Sequence, residues 1–136
     1  MSVRSRIASL ALLAAVALPL VVGCQFLVFK VCVKNNTEYY LEEFASKVAG
    51  AATYPDGAIK NLAPGSSDFD GGYGAGSYDF RASFDVSDDS ICEDVVEVLG
   101  VEIENTNLCI TYEVQDIVGK GGECSEEIYA TLDYVL

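Results

Sequence analysis

Five cysteines, 21 acidic residues and no histidine set the chemistry open to this 136-residue chain. Without an imidazole, the usual Ser-His and Cys-His nucleophile systems lack their base. Paired carboxylates could still run glycoside hydrolysis, but so many acids make any one pair uninformative, and no catalytic residue is assigned. Cys24, Cys32, Cys92, Cys109 and Cys124 include no C-x-x-C pair, so zinc-site and thioredoxin-type spacings are both missing. Asp68 and Asp70, followed by Gly71 and Gly72, carry part of a calcium loop and are the candidate Ca2+ ligands, one ligand short of the full pattern. Asp85, Asp88 and Asp89 form a second acidic turn, and solvated loops account for both clusters more simply. Gly71, Gly72, Gly74 and Gly76 lack the lysine and following helix of a phosphate cradle and read as a flexible loop. Tyr54 and Tyr73 fall in expected loops and are the candidate surface-binding tyrosines, since a phenol offers an apolar body with a polar tip.

These side chains follow a distinctive N-terminus. Arg4 and Arg6 precede an almost unbroken apolar run, Ile7 to Val22, and no acid comes before Glu38. The run falls short of the roughly 20 residues that comfortably span a bilayer, and basic-then-apolar-then-small is the secretory pattern. Val21-Val22-Gly23-Cys24 then resembles the lipobox of bacterial lipoproteins. The resemblance implies diacylglyceryl transfer to the Cys24 thiol, cleavage after Gly23 and stable anchoring by two or three acyl chains. Gln25, where Asp would suggest inner-membrane retention, points to the outer membrane. The plainer alternative is an ordinary signal peptide or uncleaved anchor with an incidental cysteine. The expected division is a signal peptide over 1–23 and one acidic domain over 24–136.

Removing 23 residues leaves 113, enough for a single core. Without Arg4 and Arg6, six basic residues face 21 acidic ones, a net charge near −15. That charge disfavours nucleic acid and anionic membrane faces and allows a cationic envelope protein as partner. With Cys24 given to lipid, four cysteines in an exported chain imply up to two disulfides, with three connectivities.

The domain's segments are short and β-like. Phe26 to Lys34 places Leu27, Phe29, Val31 and Val33 on one face and Cys32 with Lys30 and Lys34 on the other. Glu38 to Ser46 is favoured as a strand, although Tyr40, Leu41, Phe44, Ala45, Val48 and Ala52 also fit a helix over Glu38–Ala52. A short strand, Ala58 to Leu62, lies between Pro-Gly-type turns. In Ser77–Ser87, Tyr78, Phe80, Ala82, Phe84 and Val86 alternate with Ser77, Asp79, Arg81, Ser83 and Asp85, as one buried and one wet face require. Val95–Glu104 and Leu108–Ile117 are expected as a hairpin around Asn105-Thr106-Asn107, and Ile128–Leu136 as the last strand. Cys92 and Cys124 bracket that hairpin, while Cys32 and Cys109 share the less apolar faces of their strands. The preferred pairing is therefore Cys92–Cys124 with Cys32–Cys109.

About seven short strands point to an all-β antiparallel sandwich or small barrel. The Asn-Thr turn after Val33, the Pro-Gly turn at Pro64 and the Gly-Ser-Tyr-Asp return strand resemble the layout of small exported Ig-like β-sandwich domains, over Val31 to Phe84. Such a fold does not convey function. The sequence thus predicts a membrane-anchored lipoprotein with a non-catalytic binding or envelope-structural role. The alternative is an inhibitor of a cationic envelope-damaging enzyme such as lysozyme, steered by charge.

Overall fold

A computed structural model describes residues 28–119 and 121–135. The expected signal peptide, the cleavage site at Gly23 and the lipid acceptor Cys24 lie outside the described residues.

The domain is all-β, with eight strands in two sheets and no helix among the described residues. The strands are β1 (Phe29–Asn35), β2 (Tyr40–Val48), β3 (Ile59–Leu62), β4 (Ser67–Tyr73), β5 (Gly76–Asp85), β6 (Val95–Ile103), β7 (Asn107–Asp116) and β8 (Glu126–Val135). One sheet runs β4-β1-β7-β8 and the other β3-β2-β5-β6. All neighbours are antiparallel except β1 and β7, which run parallel.

Alternation drives this pairing. Val31 and Val33 of β1, Phe80, Ala82 and Phe84 of β5, and Leu108, Ile110 and Tyr112 of β7 turn inward and are almost completely buried. Phe44 and Phe80 stack at 5.7 Å between centroids, and Phe84 meets Tyr112 edge-on at 5.4 Å, the offset arrangements that aromatic quadrupoles favour. Within Glu38–Ala52, Tyr40–Val48 is strand β2 and no part is helical. Leu41 pairs with Leu62 and Phe84, and Phe44 with Ile59 and Ala82, a bulge between Leu41 and Glu43 letting both side chains be buried.

Asn35, fully buried, holds the β1–β2 turn. Its Nδ2 donates to the carbonyls of Tyr39 (2.8 Å) and Leu62 (3.0 Å), while Oδ1 accepts from the Thr37 amide (3.1 Å) and hydroxyl (2.7 Å). A buried amide so satisfied fixes the turn, and an unpaired one would cost stability.

Three expectations change. Asp68–Tyr73, read as a glycine-rich loop, is strand β4, because pairing with β1 from Phe29 to Lys34 outweighs the weak strand preference of Gly and Asp. β6 and β7 do not form a hairpin: β6 pairs with β5 and β7 with β1 and β8, so the Asn105 turn carries the chain from one sheet to the other. Asp79 is not on a wet surface. The segment 49–58 lies over its face of the sheet, leaving Asp79 only 5% exposed.

Candidate functional site

The sandwich has two open sides, one where edge strands β3 and β4 approach and one where β6 and β8 do. Each device that blunts an edge is local. β3 has four residues. Asp68 and Asp70 of β4 lie opposite Val33 and Val31, on the inward-facing side of that edge strand. β6 bulges near Gly100, whose φ of 65° suits glycine and whose amide donates to Asp79 Oδ1 at 2.9 Å.

The β6–β8 seam is tied at both ends. At one end the Tyr134 hydroxyl donates to the Glu102 carbonyl at 2.7 Å. At the other, Ile91 bridges Glu126, and a disulfide joins Cys92 to Cys124 with 4.8 Å between Cα atoms. Between these ties lies a groove of about 470 Å³. Val95, Val96, Ile117 and Ile128 supply its apolar lining, and Glu93, Glu97, Glu126 and Glu127 also line it, the Glu97 and Glu127 carboxylates accepting from Tyr54 and Gln115. Chemically it is an anionic slot with an apolar floor, flanked by unpaired strand edges. Such a slot favours cationic or amphipathic segments.

The sequence reading missed these four glutamates, since Glu93 and Glu126 stand far apart in the chain. The expected Cys92–Cys124 bridge was the usable signal. It draws the "CED" and "CSEE" stretches to one place. The pairing is as expected, but its basis differs: the bridge joins the segments that lead into β6 and β8 rather than the feet of a hairpin.

The sequence-derived candidates disperse. Tyr54 lies on the covered face of the β2–β5 sheet, with Lys47 Nζ 4.6 Å and Arg81 Cζ 4.5 Å from its ring centroid. Its hydroxyl donates to Glu97 at 3.2 Å. Burial first, and then the Glu97 charge, push this phenol up to about 12. Both cations and the carboxylate therefore hold Tyr54 as a clasp for segment 49–58 rather than a free contact. Tyr73 is the last residue of β4 and is buried, not a surface residue. Its hydroxyl donates to Asp70 and accepts from Ser46 Oγ at 2.7 Å, and its ring packs edge-on against Tyr78 at 5.1 Å. Asp68 accepts from its neighbour's amide. Among the described residues no group of three or more potential ligands gathers for a metal ion, around Asp68 and Asp70 or elsewhere.

Asp79 is the most constrained carboxylate. The Gly100 amide, then the Gly50 amide and Lys47 at 3.8 Å, hold it below the usual aspartate range. It thereby pins segment 49–58 and the β6 bulge to β5. No family model, curated protein or solved structure matches this chain.

The second cysteine pair is brought together without being bridged. Cys32 and Cys109 are direct partners across parallel strands β1 and β7, and both are thiols in the structure.

Proposed function

We propose that this protein is a bacterial lipoprotein, anchored through Cys24 at the cell envelope and placed on the outer membrane as Gln25 favours, whose sandwich binds a cationic partner without catalysis. The observation that carries the reading is the position of the groove relative to the anchor. β1 begins at Phe29, close behind Cys24, and parallel pairing sets its start beside Leu108 at the start of β7. The groove lies at the other end of β7, where Asp116 pairs with Glu126. A chain tethered before β1 would therefore hold its anionic slot away from the bilayer, open to soluble partners. Short tethers keep the domain at the surface, and stable anchoring follows from more than one acyl chain.

The same carboxylates support a second reading, inhibition of a cationic envelope-damaging enzyme such as lysozyme. Full-length protein in detergent, titrated with a cationic lysozyme at low and high salt, tests both. Binding that weakens with salt and is lost in the Glu126→Lys/Glu127→Lys variant supports the groove. Equal binding by that variant overturns it. Loss of lytic activity at stoichiometric binding distinguishes an inhibitor from a simple binder. The anchor is tested separately by intact mass: a membrane-fraction chain starting at Cys24 and carrying acyl groups supports it, and an unmodified chain starting elsewhere refutes it.

A further inference from the structure

Cys32 and Cys109 face each other on the outer surface of the β4-β1-β7-β8 sheet. The pairing is direct, with Phe69 opposite Cys32 on one side and Asp133 opposite Cys109 on the other. Neighbouring strands lie about 4.8 Å apart, inside the window of roughly 4.4–6.8 Å that a disulfide spans between Cα atoms. Closing this bond therefore asks for no exchange of partners and no strand movement. The two sulfurs are not equivalent. Cys32 belongs to the central strand β1, between β4 and β7, and is 5% exposed, whereas Cys109 is only half-buried.

We propose that Cys32 and Cys109 form a thiol–disulfide exchange site in which Cys109 is the entry sulfur, Cys32 the resolving sulfur and an external disulfide the oxidant. In the first step the Cys109 thiol gives up its proton and attacks one sulfur of the incoming disulfide. A Cys109 mixed disulfide forms, and the other half of the oxidant leaves as a thiolate that takes up a proton. Cys32 then loses its proton and attacks Cys109 Sγ. The Cys32–Cys109 bond forms, the mixed bond breaks and the second half of the oxidant leaves as a thiol. Two protein thiols are oxidised to one disulfide, and one external disulfide is reduced to two thiols.

Access sets the order, because an exchange partner must reach the sulfur it attacks in line. Burial, then the hydrogen bond with Cys109, also pushes the Cys32 thiol up to about 11, which leaves little thiolate for a first attack at neutral pH. Once Cys109 carries a mixed disulfide, proximity replaces accessibility and Cys32 needs only to reach its register partner.

The test uses full-length, detergent-solubilised protein with the Cys32 and Cys109 thiols reduced, glutathione disulfide as the probe, and peptide mapping by mass. In wild type the expected product is the internal bridge, two hydrogen atoms lighter, without a lasting adduct. Cys32→Ser should trap one glutathionyl group on Cys109. Cys109→Ser should acquire one on Cys32 more slowly, by roughly tenfold or more. Limited alkylation of the folded wild-type dithiol provides a measurement independent of the variants, and should label Cys109 first. Equal rates in the two variants, first labelling of Cys32, or wild type that accumulates adducts without bridging would each overturn the proposal.

Discussion

Replacing Asn35 by alanine tests whether one buried amide holds the β1–β2 turn. The side chain makes four hydrogen bonds inside a site with no solvent exposure. Alanine removes all four, but the consequences differ among the partners. The Tyr39 carbonyl gains the Thr37 hydroxyl, 3.1 Å away and released from Asn35 Oδ1, as a donor. The Leu62 carbonyl and the Thr37 amide lose the partner that Asn35 supplies. Each buried polar group left unpaired costs about 1–3 kcal/mol, so the two together destabilise by roughly 3 kcal/mol. For a domain near 100 residues this corresponds to a fall in Tm of about 12 °C or more. Thermal unfolding followed by circular dichroism at pH 7 measures it. Asn35→Asp sharpens the test, because a carboxylate would face two carbonyl oxygens that now receive N–H donors. That variant should be at least as unstable at pH 7 and recover as acid protonates it, since its folded-state pKa is raised. An Asn35→Ala protein within about 2 °C of wild type, or an Asn35→Asp protein equal to wild type at pH 7, would refute the reasoning.

Tyr112 gives the opposite expectation: its buried hydroxyl has no partner among the described residues, so Tyr112→Phe should leave Tm unchanged or raise it, by about 1 kcal/mol equivalent, as a melting curve will show. Opening the Cys92–Cys124 bridge as the double serine variant frees a loop closed by a sequence separation of 32. Chain entropy puts the loss at about 3–4 kcal/mol, measurable as a lower urea midpoint. For Asp79 the folded carboxyl is held below the ordinary aspartate value, so its contribution is present above the unfolded pKa and lost as pH falls through the folded one. Wild type should therefore exceed Asp79→Asn in Tm at pH 7, with the gap closing below about pH 4. A gap independent of pH would show that the charge is not what Asp79 contributes.

Several features were legible in the chain because they are local. The alternation of Tyr78, Phe80, Ala82 and Phe84 needs only the two-residue period of a strand, and β5 follows it. The acidic excess and the absence of histidine are properties of composition and need no fold. Cys92–Cys124 was also legible as a pair, though for a reason the topology replaces. β4 was not legible, since Asp68, Asp70, Gly71 and Gly72 have little strand preference of their own. Only the ladder with β1 makes them extended.

Sheet assignment is where sequence proximity misleads. A short turn between β6 and β7 suggests a hairpin, but inward side chains on both strands are buried better when the strands join opposite sheets. Asp79 likewise occupies the polar phase of β5, and nothing in that phase tells that segment 49–58 will fold over it. The sequence by itself determined the strand periodicity, the negative charge and the N-terminal lipobox resemblance, because each is carried by neighbouring residues. Tertiary structure alone decided that Cys32 meets Cys109 in parallel register, that Tyr73 is buried and that four glutamates from two distant segments share one groove. Those facts depend on which strands become neighbours, and that is set by burying both sheets' apolar faces at once.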